Sequence, residues 1–336
     1  MTPPKARVES GWRYEAAEAS ALALEGLLAR HGIAILPGSA FEQHVLSVLH
    51  LVHRKSVGGI RAEDEDIRPL YRTLIGVHEL AALLLEIQDS PQFASLVPHL
   101  RLLNEGNVLQ NSPSSGSDQA TNKLFELYMG AVALQCGEDI ALDNPFGSAG
   151  NNPDVLITIG GERRWGIACK VLHGLSAEGF VEHLVKGLEQ IDRSPAEVGV
   201  VAFNLKDILP HDEIWPLAPL DGIPGNPLTA GVWSDPAAPF QLLVSEMQKL
   251  GEELVSYLPS GYLNTMFAGR KSVLGYLLWG ASPSAAMIEG RPTPSSVRAL
   301  NLQTVGQLSP EDLNVIKCLD WAIYPDSPTR GPRPCV

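Results

Sequence analysis

Two ionisable side chains stand out in the stretch NNPDVLITIGGERRWGIACKVLHG, residues 151–174: Asp154, after a proline at the head of one apolar run, and Lys170, at the end of the next. Taken singly, an aspartate in that position is a turn former or a cation ligand, and the lysine is a strand-edge charge. Their meaning changes if they share a face. Side chains alternate along a strand, so Ala168 and Lys170 point one way and Cys169 the other. IGGE reads as the turn of a hairpin and not as a phosphate loop, because a lone Gly-Gly lacks the strand-to-helix context of such loops. Pairing through that turn carries Asp154 toward the Lys170 face. A third group, Glu126, lies upstream in the helical segment NKLFELY between the apolar Phe125 and Leu127; alone, it would be a solvated helix residue.

The elements that must position these groups can be read from periodicity. From residue 12 to about 108 the pattern is helical. RYEAAEASALALEGLLARHG has apolar residues three and four apart and a His-Gly stop; AFEQHVLSVLHLVHRK, DIRPLYRTLIGVHELAALLLEIQ and PQFASLVPHLRLLNEG follow in the same style. NVLQNSPSSGSDQ, residues 107–119, is the linker candidate. Beyond it come a helix (TNKLFELYMGAVALQCG), strand-like DIALDNP, strands DVLITI and RRWGIACKVL, a helix (EGFVEHLVKGLEQIDR) and a strand (EVGVVAFNL). This predicts a helical N-terminal region with linker over 1–116 and an α/β domain over 117–336. Within that domain lie an irregular Pro/Gly-rich insertion near 205–239, a helix from Phe240 to about Leu258, a last buried strand in SVLGYLLWGAS and a C-terminal helix after Ser309.

Composition restricts the partners. Hydrophobic residues make up 45% and charged residues 19% of 336, which is enough for a folded core of about two domains or one with helical additions. The four cysteines are scattered, with no CxxC pair, so neither a zinc cluster nor a disulfide framework is predicted. No apolar run reaches membrane-spanning length and none follows the N-terminal positive charges, so no membrane partner and a cytoplasmic location are expected. Of the net −13, residues 117–216 alone contribute −8 (7 Lys+Arg, 15 Asp+Glu). That balance opposes nonspecific attraction to phosphate backbones, so nucleic-acid binding would need a local basic rim and metal ions.

Pro-Asp at 153–154, a hairpin, Ala-Cys-Lys at 168–170, a preceding helix with NKLFELY and a following helix with Gln190 together resemble the PD-(D/E)xK superfamily of restriction-endonuclease-like nucleases, over residues 121–205. The resemblance implies a mixed β-sheet core flanked by helices and Mg²⁺-dependent hydrolysis of phosphodiester bonds, with Mn²⁺ as a substitute and DNA favoured over RNA. Such a cation polarises the phosphate and supplies a nucleophilic water near neutral pH. By position, Asp154 would be the central metal ligand, Glu126 the additional helix carboxylate, the Cys169 carbonyl a backbone ligand, and Lys170 the group that orients water and stabilises charge. Gln190 would steady Lys170 or touch a phosphate. Bacterial defence or toxin systems are natural settings for such a domain. The N-terminal helices would then bind a regulatory partner, form a homo-oligomer or control access.

The departure is Ala168, where the pattern has Asp or Glu. A methyl group cannot coordinate Mg²⁺, so weak metal binding and impaired cleavage are expected. The candidates are a naturally inactive member, an acid moved to Glu126 or another helix position, and a deliberate exchange of glutamate for alanine; the last is the substitution one would choose to silence a toxic nuclease. A non-catalytic nucleic-acid-binding or protein-interaction role on the same fold is the alternative function. Around the hairpin, Arg163, Arg164, Lys186 and His173 are candidate nucleic-acid contacts, with Arg270 and Lys271 further on. His183, Lys186 and Gln190 are spaced to share one helix face. Cys169 reads as a small buried residue and not a nucleophile, His173 equally as a loop histidine, and His50 and His53 as helix-face residues without a third ligand.

Overall fold

The computed structural model describes residues 14–57, 66–114, 119–147, 150–161, 163–217, 230–324 and 332–334. Residues 218–229 of the irregular insertion, and Cys335, lie outside these. Helix α1 (Tyr14–Arg30) stops before Gly32, whose φ of +67° closes the helix without a Cβ clash. In α2 (Ala40–Ser56), the Ser39 hydroxyl accepts the Glu42 N–H while the Glu42 carboxylate accepts the Gly38 N–H. Helix α3 (Arg68–Glu86) follows, as expected. PQFASLVPHLRLLNEG, expected as one helix, instead forms a four-residue α4 (Val97–Leu100) between two 3₁₀ turns, Phe93–Leu96 and Arg101–Asn104. Pro98 explains the break, because its ring would meet the carbonyl one turn upstream in a continuous α-helix.

The start of the expected linker is not solvated. Asn107 through Ser112 run through the interior, where the Asn204 amide donates to Gln110 Oε1 (2.7 Å) and the Asn111 amide donates to the Arg72 carbonyl (3.1 Å). Polar side chains tolerate this burial because they satisfy one another. The chain continues through α5 (Gln119–Leu134), β1 (Gly137–Leu142), β2 (Val155–Ile159), β3 (Arg163–Val171), α6 (Ala177–Arg193), β4 (Val198–Asn204) and a short α7 (His211–Ile214). It ends with α8 (Ala238–Ser256), α9 (Tyr262–Phe267), β5 (Ser272–Ile288), β6 (Arg291–Thr304) and α10 (Pro310–Ala322).

The strands form one mixed sheet in the order β1-β2-β3-β4-β5-β6. Strands β3, β4 and β5 run parallel; the other neighbours are antiparallel. The protein is therefore α/β, with helices on both faces. Sequence reading stopped the last strand at SVLGYLLWGAS, but β5 runs on to Ile288 and returns as β6 through Glu289 and Gly290, both at positive φ. Pro292 and Pro294 disguise β6 as a loop; an edge strand tolerates them because proline lacks only the ladder N–H.

Alternation along the strands separates two cores. Trp165, Ile167, Cys169, Val200, Ala202, Leu277 and Trp279 face a cluster continuous with α1, α2, α3, α5 and α10. Ala168, Val201, Phe203, Tyr276 and Leu278 face α6 and α8. The N-terminal helices thus share their core with the sheet. Buried Glu79 of α3, paired with Arg298 of β6 and hydrogen-bonded by Ser296, ties the same layers together. On the other face α6 buries Phe180, Leu184, Gly187, Leu188 and Ile191, a helical stripe.

Gly187 is where α6 comes closest to the sheet. A Cβ there would lie 2.8 and 2.9 Å from the Val201 methyls and 3.3 Å from the Ala168 Cβ. Gly187→Ala should therefore destabilise the fold by about 1–3 kcal/mol, despite the roughly 1 kcal/mol that alanine gains over glycine in a helix. Urea unfolding would measure this. Coupling in a double-mutant cycle with Val201→Ala is the expected signature, and strict additivity would remove the steric explanation.

Candidate active site

Three parts of the chain meet where β2 begins and β3 ends. Val155 pairs with Ile167, so Asp154 enters the ladder beside Ala168 and Cys169. Its Oδ2 accepts the Cys169 N–H at 2.6 Å and lies 3.4 Å from Lys170 Nζ. Lys170 Nζ also donates to the Cys169 carbonyl (3.0 Å) and to Gln190 Oε1 on α6 (2.7 Å). From the opposite layer, α5 presents Lys123 and Glu126, one helical turn apart. Lys123 Nζ lies 2.9 Å from Glu126 Oε1, 3.1 Å from Glu126 Oε2 and 3.9 Å from Asp154 Oδ1. His99 of α4 approaches Glu126 Oε2 through Nε2 at 3.1 Å.

Asp154, Glu126, Lys170 and Gln190, all expected from sequence, are thus brought together. Lys123 and His99 were missed. Lys123 had a faint signal, since it sits three residues before Glu126 inside NKLFELY. His99 had none, because its role depends on where α4 lands against α5.

The electrostatics are those of buried charges forced to share. Burial and the adjacent Glu126 carboxylate push Asp154 up to about 6. Burial likewise raises Glu126, against the pull of Lys123 and a hydrogen bond from Asp154. Burial works to lower the Lys123 ammonium, but Glu126 and Asp154 outweigh it and raise the lysine overall. Burial, then the Lys123 charge, lowers His99 to about 4, so it is neutral near pH 7. The interaction with Glu126 therefore uses a neutral Nε2–H donor, and Nδ1 has no hydrogen-bond partner among the described residues. Burial also raises the Cys169 thiol well above its usual value, consistent with a packed residue and not a nucleophile.

The chain's fit to a metal ion is poor. Two carboxylates and the Cys169 carbonyl are the available oxygens, and that carbonyl already accepts Lys170. Among the described residues no group of three or more His, Cys, Asp and Glu side chains stands where it could hold a metal ion. Ala168 is fully buried in the α6-side apolar cluster. Lys123 Nζ stands beside both acids, hydrogen-bonded to Glu126 and 3.9 Å from Asp154 Oδ1. Outward from Lys123 lies a half-open cleft of about 330 Å³, lined also by Leu102, Glu105, Gln119, Pro145 and Phe146.

Of the expected nucleic-acid contacts, Arg163 and Arg164 do not join the site, whereas Lys186 and His173 both act with Lys170 on His183. Arg163 pairs with Asp312 of α10 at 2.8 Å, and Arg164 pairs with Asp139 of β1. Both sit at the turn end of β3, about 20 Å from Lys170 at roughly 3.3 Å per residue. Arg270 is engaged by Asp192 (2.7 Å), and Lys271 Nζ donates to the Ser194 carbonyl (2.9 Å). Exposed Lys186 pairs with Glu182 along α6. His173 is exposed and bonded to Asp207 at 2.6 Å, as a loop histidine. His50 and His53 are exposed on α2. Ion pairing of the arginines follows from the acidic balance of this segment.

A carboxyl whose pKa is higher in the folded than in the unfolded chain opposes folding when ionised. Its penalty is full above the folded value of about 6 and vanishes below the ordinary value of 3.8. Asp154 should thus add on the order of 1 kcal/mol of stability between about pH 7.5 and pH 5. Buried His99 and His211, both lowered to about 4, act in the opposite direction. The diagnostic is the difference: denaturant midpoints of the wild type should rise relative to Asp154→Asn on acidification, and parallel profiles would contradict the assignment. No protein-family model, curated protein or solved structure matches the chain.

Proposed function

We propose that residues 121–205 form a restriction-endonuclease-like core carrying a phosphodiesterase site of the PD-(D/E)xK kind, directed at nucleic acid and at DNA in particular, and that the site is silent as written. The observation that carries this reading is the convergence of Glu126, Asp154, Lys170 and Gln190 from α5, β2, β3 and α6. These residues were singled out by their order along the chain. Their meeting at the end of one strand pair is what a nuclease site needs and what an ordinary hairpin does not.

Lys170 supplies the ammonium of such a site. Gln190, the Cys169 carbonyl and, at 3.4 Å, Asp154 accept from its ammonium and fix it beside the acid. No metal-borne step is assigned to the chain as written, because Ala168 offers no ligand and the Lys123 ammonium lies against the two acids. A second reading, protein interaction or nucleic-acid binding on the same fold without cleavage, is favoured by one observation. The arginines that would form a phosphate rim are neutralised by Asp312 and Asp139.

The discriminating variant is Ala168→Glu combined with Lys123→Met, which removes the ammonium beside the two acids, assayed with single- and double-stranded DNA and with RNA in the presence of Mg²⁺ or Mn²⁺. Cleavage that requires both the introduced glutamate and Lys170 is the expected result. The loss on Lys170→Ala should be at least about a hundredfold, the range for a group acting on the reacting centre. A folded protein carrying both Ala168→Glu and Lys123→Met that cuts none of these substrates with either metal sinks the enzyme reading in favour of the second.

A further inference from the structure

We infer that Lys123 is the built-in counter-cation of the Glu126–Asp154 pair, standing where a divalent ion would bridge the two carboxylates, and that it keeps this site metal-free. The inference deepens the proposed function and rests on it only in taking the pair to be a cation site. Lys123 Nζ contacts both Glu126 oxygens at 2.9 and 3.1 Å and lies 3.9 Å from Asp154 Oδ1. Those are the oxygens through which a hard cation would bind, at roughly 2.0–2.6 Å. An ammonium and a divalent ion cannot share that space without close like-charge contact in a water-poor surrounding.

Position and placement support a dedicated role. Lys123 is buried, although lysines are rarely buried unless paired. It sits one helical turn from Glu126, so α5 delivers acid and counter-cation together. Its flank lines the cleft that also contains Glu105 and Gln119, which gives the ammonium a route out of the pair toward solvent and another carboxylate. Other groups also face the pair: Lys170 bonds to Gln190 and the Cys169 carbonyl and lies 3.4 Å from Asp154 Oδ2, His99 donates to Glu126, and the Asp143 charge acts on Lys123. Among these groups Lys123 is the ammonium in contact with Glu126, and it is the one that α5 carries beside both acids.

The test is Mn²⁺ binding, read by the loss of the free-ion electron paramagnetic resonance signal and by the shift in thermal unfolding. Both readouts are independent of cleavage. Lys123→Met keeps the apolar stem and removes the charge; it should bind Mn²⁺ at least about tenfold more tightly than the wild type. Lys123→Arg should bind no better than wild type. Adding Asp154→Asn to Lys123→Met should abolish the gain, which locates it at the pair. The same tenfold gain should appear when Lys123→Met is placed on Ala168→Glu. Equal affinities with and without Lys123 in both backgrounds, or a gain that survives Asp154→Asn, overturns the inference. Should Lys123→Met fail to fold without metal, recovery on adding Mn²⁺ supports the inference and no recovery counts against it. A doubly substituted protein that binds Mn²⁺ but cuts nothing would defeat the nuclease reading and leave this one standing.

Discussion

The hydrogen bond from the Cys169 N–H to Asp154 anchors everything around it. At 2.6 Å it fixes a carboxylate into the β2–β3 ladder at a point closed to water. A buried carboxylate must be paired, hydrogen-bonded or protonated, since an isolated charge there costs several kcal/mol. All three remedies are present at Asp154. The ladder supplies the hydrogen bond, Lys170 and Lys123 supply positive charge, and the carboxyl, raised by burial and Glu126, can hold a proton and donate it to Glu126. Neighbouring side chains are constrained in turn: Lys170 needs Gln190 and a carbonyl to hold it, and Glu126 needs Lys123 and His99. The cluster is a chain of compensations that begins with one acid at a strand head.

The two layers that meet at this acid were unequally visible in the sequence. Strands β2 and β3 were legible because their apolar positions alternate around a Gly-Gly turn, and α6 because Phe180, Leu184, Leu188 and Ile191 fall on one face. Strand alternation set Asp154 and Lys170 toward one face, while Glu126 and Gln190 were picked out by the resemblance to the PD-(D/E)xK pattern. What was not legible depends on contacts distant in sequence. Gln110 meets Asn204 from 94 residues away, so a buried segment reads as a linker. Strand β6 is stabilised by a partner that tolerates its prolines, a property of its edge position and not of its composition. His99 and Lys123 carry no motif; their role appears only when α4 and α5 are set against the sheet.

Charge balance joins the two features that set this site apart from its sequence pattern. With an acid at 168, three carboxylates would face two ammonium groups, and the deficit would call for a cation. With alanine there, Glu126 and Asp154 face Lys123 and Lys170, with Asp143 also acting on Lys123, and the cluster carries one negative charge fewer. Ala168 removes a negative charge and Lys123 provides a positive one, so both act in the direction of a site that needs no metal. The packing agrees: the Ala168 Cβ lies in an apolar cluster with Leu184, Leu188 and Val201, opposite a glycine that permits close approach of α6. A glutamate there would have to turn out of that layer toward Asp154 to reach the other charged groups. Alanine at this position therefore belongs to the core as much as to the site.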